Sequence, residues 1–142
     1  MTDSSQASAI MFADVVGSSS LYKLRGNSSA KTCIDATLIA MSDSVVTHGG
    51  TVVKTIGDEI MTCFNSALAA CECAQALQQL CSEGLELQPI RIGIAYGDTL
   101  SDENDVFGDT VNDAACVAKI AYAQQIVITQ AVFDALGLQQ VD

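Results

Sequence analysis

Two aspartates occupy positions where carboxylates can bind a divalent metal. Asp14 ends an apolar run and is followed by a glycine and a serine-rich helix start. A carboxylate placed there can hold a metal beside a phosphate, because the free N–H groups of a helix N-terminus favour an anion. Asp58 lies at the tip of a predicted hairpin, and if that hairpin pairs beside the first strand the two carboxylates converge in an oxygen site of the Mg²⁺ type. From the residues alone, two ordinary turn aspartates remain the alternative, since Gly-Asp turns are common.

Three further polar residues could take part in chemistry. Lys54 is a lone cation inside the apolar β run 52–56, where a solvent-facing strand lysine is the alternative reading. Asp105 precedes an aromatic–glycine turn, and Asn112 lies in the first turns of a predicted helix. Taken singly, Asp105 could be a solvated loop residue and Asn112 a polar residue near a helix cap.

The elements that must position these residues alternate along the chain. Apolar periodicity, turn residues and caps predict their bounds. They are a strand over 7–16, a helix capped by 18–20, a helix over about 28–48, strands over 51–56 and 59–64, a helix over 66–83, a strand over 89–96, an acidic loop over 102–105, a helix over 109–121, a strand over 125–129 and a short terminal helix. This order predicts an α+β fold, a ferredoxin-like βαββαβ sheet with helices packed on one face.

Composition limits the classes of partner. The 142 residues suit one domain, and 49% are hydrophobic, so the chain can build a core. Six Lys+Arg against seventeen Asp+Glu give a net charge of −11, which argues against a nucleic-acid polymer or an anionic membrane surface. No apolar stretch approaches the ~20 residues that span a bilayer, and the polar N-terminus does not resemble a signal peptide.

The six cysteines indicate free thiols. They form no CxxC pair and His48 is the only histidine, so a zinc site is not expected. Cys73 and Cys81 share an apolar helical face with Leu77, which predicts burial. A reducing, cytoplasmic location is the corresponding expectation.

Three segments together resemble the signatures of class III nucleotidyl (adenylate/guanylate) cyclase catalytic domains. They occur in the family's order and at similar spacing, and the resemblance runs from about Ala7 to the C-terminus. The segments are Phe12-Ala13-Asp14-Val15-Val16-Gly17-Ser18-Ser19, Lys54-Thr55-Ile56-Gly57-Asp58-Glu59 and Asp105-Val106-Phe107-Gly108-Asp109-Thr110-Val111-Asn112.

The resemblance implies a role for each matching residue. Asp14 and Asp58, with the Val15 carbonyl, would hold two Mg²⁺ or Mn²⁺ ions that activate the ribose 3′-hydroxyl and steady the triphosphate. The backbone of Val16, Gly17, Ser18 and Ser19 would bind phosphates, and Asn112 would orient the ribose. The family works as a homodimer with composite sites, so a head-to-tail homodimer is implied here.

The base-reading pair implied by the resemblance is Lys54 and Asp105. An ammonium can donate to adenine N1 and a carboxylate can accept from the 6-amino group. Guanine has an acceptor at O6 and a donor at N1, and it would require the opposite polarity at one position. ATP is therefore expected rather than GTP.

Two departures from the family pattern bear on activity. The family places an arginine that stabilises transition-state charge one helical turn after Asn112, and this chain has Cys116 there, with Lys119 three residues on. Removing such a donor typically costs on the order of 10²–10³ in rate. The chain also stops at Asp142, where family domains continue into a last hairpin with a phosphate-binding lysine, which suggests a C-terminally shortened domain or the N-terminal part of a longer protein.

These observations favour an adenylate cyclase making 3′,5′-cyclic AMP and pyrophosphate in signalling, with activity impaired by Cys116. The alternative is a weak or inactive cyclase-homology domain that binds nucleotide or dimerises to regulate another domain. A ligand-free interaction domain would make the matching residues coincidental.

Overall fold

The computed structural model describes residues 4–83 and 86–137, and within these ranges the chain forms six strands and five helices. In chain order they are β1 (Ser4–Val15), α1 (Ser18–Arg25), α2 (Asn27–Thr47), β2 (Thr51–Ile56), β3 (Glu59–Phe64), α3 (Ala67–Glu83), β4 (Ile90–Asp102), β5 (Asp105–Phe107), α4 (Asp109–Ile120), β6 (Ile126–Ile128) and α5 (Gln130–Ala135). None of the described helices is long and apolar enough to cross a membrane.

All six strands belong to one sheet. The main order is β2-β3-β1-β4-β5 with antiparallel neighbours, and β6 pairs in parallel with β4. The long β4 is shared, since β6 lies along its first part and β5 along its last part. The edge strands β2 and β5 nevertheless contact each other, so the sheet curls strongly.

Helices cover both faces of the sheet. Along β1, Met11 and Ala13 face a cluster that includes buried residues of α2 and α3, whereas Ile10 and Phe12 face α4. The period-2 alternation of a strand explains the division, because successive side chains point to opposite faces. The α+β class with its ferredoxin-like order is confirmed, but the prediction that the helices share one face is wrong for α4.

Helix α3 has the predicted buried stripe. Cys73, Leu77 and Cys81 recur every fourth residue, and all three are at most 5% exposed. The thiols are free, and burial raises the pKa of both Cys73 and Cys81 to about 11. These cysteines are therefore neutral packing groups at physiological pH.

The largest departure from the predicted elements lies at the end of β4. The segment expected to be an acidic loop over 102–105 instead belongs to a hairpin, in which Leu100 pairs with Phe107 and Asp102 with Asp105. Helix α1 begins after Gly17, which has φ 79° and no side-chain cap, so the predicted serine cap is also wrong. The predicted shortened ending extends over residues 138–142, which lie outside the described ranges.

Gly93 allows α4 to lie close against the sheet. A Cβ at this position would be 2.2 Å from the backbone nitrogen of Ala118 and 2.8 Å from the carbonyl oxygen of Ala114. Both distances are far below ordinary van der Waals contact, so only glycine fits between β4 and α4 at this height.

Candidate functional site

The tip of the β2–β3 hairpin is hydrogen-bonded to the end of β1. The backbone N–H of Val15 donates to the carbonyl of Asp58 at 3.1 Å. Gly57 makes the tight turn with φ 60°, a left-handed conformation that suits glycine. The structure thus brings Asp14 and Asp58, which are 44 positions apart in the sequence, to one end of the sheet.

The donor set at this end suits a hard divalent cation supported by few protein ligands. Within residues 4–83 and 86–137, no group of three or more His, Cys, Asp or Glu side chains is gathered in a way that could hold a metal. Mg²⁺ commonly takes one or two protein carboxylates and completes its coordination with waters and substrate phosphates. Two aspartates and a nearby backbone carbonyl fit that pattern, whereas they do not fit an all-protein cage.

Arg91 is a residue of this site that the sequence did not identify. On β4 it pairs with Asp14 across the sheet, its Nε donates to Asp14 Oδ2 at 3.0 Å, and its Nη2 lies 2.9 Å from the same oxygen in an ion pair. Its Nη1 donates to the carbonyl of Lys119 in α4 at 3.0 Å. The sequence did contain a clue to Arg91: it is a lone cation between Ile90 and Ile92 in a predicted apolar strand. Lys54 was identified by the same kind of pattern.

Glu59 adds a second carboxylate beside Asp14. It is the partner of Asp14 in the β1–β3 register, so Glu59, Asp14 and Arg91 form one row across three strands. Burial raises the pKa of Glu59, and the charge of Asp14 raises it further, while Arg91 and Lys119 oppose the shift. The row therefore holds two carboxylates and one guanidinium, and Lys119 of α4 adds a second positive charge near Glu59.

The segment expected to bind phosphates, residues 16–19, directly follows β1 and the Asp14 end of that strand. The Val16 N–H donates to the Pro89 carbonyl at 2.9 Å, so this donor is already used within the protein. Ser18 and Ser19 begin α1, and the first N–H groups of a helix lack intrahelical acceptors. The Val16 N–H is therefore not free to bind an anion, whereas the N–H of Gly17 has no acceptor among the residues that the structure describes, and the first N–H groups of α1 at Ser18 and Ser19 remain available.

Lys54 and Asp105 meet although they lie on opposite edge strands. Lys54 Nζ is 3.1 Å from Asp105 Oδ2, with the two side chains 45% and 33% exposed. The other oxygen, Asp105 Oδ1, accepts the Val106 N–H at 2.8 Å. That backbone hydrogen bond, followed by the Lys54 contact, lowers the pKa of Asp105. The sequence-predicted pair is thus formed, and the curl of the sheet explains how.

A cavity of about 510 Å³ opens beside this ion pair. Asp105 is one of its lining residues, and all five strands of the main sheet order contribute to the wall. Its lining combines apolar side chains, uncharged polar side chains and the carboxylates of Glu103 and Asp105, and the uncharged members include Val53, Cys63, Val106, Gln6 and Ser101. A planar polar ring would find both apolar walls and hydrogen-bonding groups here.

Asn112 and Cys116 lie on one exposed face of α4. They are one helical turn apart, and both are exposed, whereas Ala114 and Ala118 pack towards the sheet. Neither residue is brought into hydrogen-bond contact with Asp14 or Asp58 of the same chain by the described structure. Their face is directed away from the chain's own core and towards solvent.

All 142 residues match the family described as the adenylate and guanylate cyclase catalytic domain. A protein named adenylate cyclase from Streptomyces coelicolor is 32% identical over 123 residues, which cover 87% of this chain and 32% of that protein. The chain spans about a third or less of the length of such curated relatives.

Solved structures show the same fold. The catalytic core of a rhodopsin-guanylyl cyclase with converted specificity, in complex with ATPalphaS, superposes with a TM-score of 0.87 at 18% identity, covering 99% of this chain and 87% of that one. A non-canonical dimeric guanylyl cyclase domain of the RhoGC fusion protein from Blastocladiella emersonii gives a TM-score of 0.84 at 18% identity, with 98% of this chain and 88% of that chain covered. On the match over its whole length and the shared fold, the chain belongs to the adenylate and guanylate cyclase catalytic domain family.

Proposed function

We propose that this domain is an adenylate cyclase that converts ATP to 3′,5′-cyclic AMP and pyrophosphate. The observation that carries the proposal is the hydrogen bond between Val15 and Asp58, which brings Asp14 and Asp58 to one end of the sheet. The relative from Streptomyces coelicolor that bears the name adenylate cyclase supports the choice of reaction.

The end of the sheet that carries Asp14 and Asp58 would hold the metal ions of the reaction. Asp14, Asp58 and the Val15 carbonyl would bind two Mg²⁺ or Mn²⁺ ions, which when bound neutralise phosphate charge and promote ionisation of the ribose 3′-hydroxyl. The chain itself then binds and orients the nucleotide. The N–H groups of Ser18 and Ser19 would contact phosphate oxygens at the start of α1.

Lys54 and Asp105 would read the base. Lys54 can donate to adenine N1 while Asp105 accepts from the 6-amino group, and the apolar side chains of Val53, Cys63 and Val106 offer a wall beside the ring. Asp105 is suited to accepting, because the Val106 N–H keeps its carboxylate ionised. The polarity of this pair favours ATP over GTP.

Catalysis would take place between two copies of the chain arranged head to tail. The aspartates of one copy would meet Lys54, Asp105 and Asn112 of the other. The outward face of α4 supports this arrangement, since Asn112 is exposed and Ile120, on the same helix, is 68% exposed. Asn112 would fix the ribose through its side-chain amide and thereby align the 3′-hydroxyl.

A second candidate function is supported by Cys116. This exposed thiol stands where the family resemblance places a transition-state arginine, and a thiol cannot replace a guanidinium. A cyclase-homology domain that binds nucleotide or dimerises without turnover is therefore the competing proposal.

The assay that separates the two is cyclic nucleotide formation from ATP and from GTP with Mn²⁺. We expect cyclic AMP from the wild-type protein and none from Asp58→Ala. The matched control is Asp43→Ala, which removes an exposed aspartate from α2 and should retain activity. ATP binding that depends on Mn²⁺, with no product from either nucleotide, would exclude the enzyme and favour the module.

A further inference from the structure

Arg91 holds the carboxylate of Asp14 through one hydrogen bond and an ion pair on the same carboxylate oxygen. Nε donates to Asp14 Oδ2, Nη2 forms an ion pair with the same oxygen, and Nη1 donates to the backbone carbonyl of Lys119. The Arg91 and Asp14 side chains are only 30% and 21% exposed. The guanidinium is therefore held between β1 and α4 and is partly shielded from water.

The charges around Asp14 give this contact an electrostatic role. Asp14 lies between Glu59 and Arg91 in register, so it has a carboxylate on one side and a guanidinium on the other. Lys119, in α4, is the other cation that acts on Glu59. Arg91 is the cation that touches Asp14 directly, whereas Lys119 contributes only its field and its backbone carbonyl.

A divalent cation that approaches Asp14 must contend with this arrangement. The Nε–H group already donates to Oδ2, and the guanidinium charge lies about 3 Å from that oxygen through both Nε and Nη2. A metal bound there would have to displace the guanidinium or accept its repulsion while using the other oxygen alone. Either outcome weakens metal binding relative to an Asp14 without Arg91.

We infer that Arg91 is a positioning residue that competes with the divalent cation for Asp14 and so sets the metal affinity of the site. This inference rests on the metal role proposed for Asp14. It predicts an unusual sign, because removing a partly buried partner of a site residue normally weakens binding through loss of order. Here the loss of Arg91 strengthens it.

The test is a titration of Mn²⁺ into the nucleotide-free protein. Electron paramagnetic resonance of the free ion measures how much Mn²⁺ is bound. We expect Arg91→Gln to bind Mn²⁺ more tightly than wild type by on the order of tenfold, because one hydrogen bond between charged groups and its ion pair no longer have to be broken. Arg91→Lys keeps the charge but cannot make the same fork of hydrogen bonds, so its affinity should fall between the two.

Lys119→Gln is the matched control for loss of charge. It removes one positive charge near Glu59 without removing any hydrogen bond to Asp14, so its effect should stay below about twofold. If Arg91→Gln tightens Mn²⁺ no more than Lys119→Gln, or weakens it, the competition does not exist. Arg91→Lys tests the same ordering should Arg91→Gln not fold.

Asp14→Asn distinguishes failure of this inference from failure of the proposed function. If Asp14→Asn leaves Mn²⁺ binding unchanged, Asp14 is not a ligand and both are overturned. If Asp14→Asn weakens binding while the Arg91 variants do not tighten it, only the competition is overturned. Tighter binding by Arg91→Gln that disappears in the Asp14→Asn background supports both.

Discussion

Gly93→Ala should destabilise the domain and displace the helix that carries part of the site. The added Cβ would be 2.2 Å from Ala118 N, and ordinary contact begins at 3.4 Å, so α4 must shift by about 1.2 Å. Overpacking of a core typically costs about 1–3 kcal/mol. Because the obstacle here is helix backbone and not a movable side chain, we expect the upper end, about 3 kcal/mol, measured as a lower urea midpoint with an unchanged m-value.

The same shift should reduce activity. Asn112 and Cys116 move with α4, and the hydrogen bond from Arg91 to the Lys119 carbonyl, 3.0 Å long, would be stretched. A displacement of about 1 Å can cost on the order of 10² in rate. Cyclic AMP formation should therefore fall by roughly that factor at temperatures where the variant remains folded.

Gly50→Ala is the matched comparison for a glycine that meets a side chain. Its Cβ would lie 2.5 Å from the ring of Phe64, so trimming that ring in a Gly50→Ala/Phe64→Leu double variant should relieve the clash. No such rescue is available for Gly93→Ala, since Ala118→Gly leaves the backbone atoms in place. The reasoning is refuted if Gly93→Ala stays within about 1 kcal/mol of wild type, or if Ala118→Gly restores its stability.

Three further changes have defined outcomes. Cys116→Arg should raise cyclic AMP formation on the order of 10²-fold, and Cys116→Ser should not; equal rates would show that the thiol is not the lesion. Glu59→Gln should raise the melting temperature at pH 7, because the raised pKa of Glu59 means that its charged form opposes folding. This gain in melting temperature should fade as the pH falls through the pKa of Glu59 in the folded protein, and it should vanish below pH 4.5. A gain that does not depend on pH would contradict the raised pKa. Leu77→Ala, at a fully buried position, should lower the free energy of unfolding in urea by about 2–5 kcal/mol. Leu80→Ala, at a residue of the same helix that is 42% exposed, should lower it by less than about 1 kcal/mol. Equal losses of stability in the two variants would contradict the burial argument.

Local patterns predicted the parts of the fold that local interactions determine. The hairpin at Gly57 and Asp58 forms where its turn residues indicate, and the buried stripe of Cys73 and Cys81 follows from helical periodicity. The proximity of Asp14 to Asp58 was also predictable, although only on the condition that the hairpin pairs with the first strand.

Contacts that depend on register between distant strands were not predictable in the same way. Arg91 meets Asp14 because β1 and β4 pair in one particular register across 77 positions, and a slip of one residue would send the guanidinium to the other face. The close approach at Gly93 and the placement of α4 on the opposite face likewise depend on tertiary packing. The hairpin of β4 and β5 was missed because its acidic residues are poor strand formers.

The curled sheet has a mechanical consequence. Its two edges are joined by Lys54 and Asp105, and an exposed ion pair of this kind contributes little to stability. The edges should therefore separate and rejoin frequently in the free protein. A ligand that hydrogen-bonds to both residues would hold the edges together in place of the ion pair. Amide hydrogen exchange in β2 and β5 should then slow when the ligand binds. The exchange rate of these amides would therefore report how much of the protein has ligand bound.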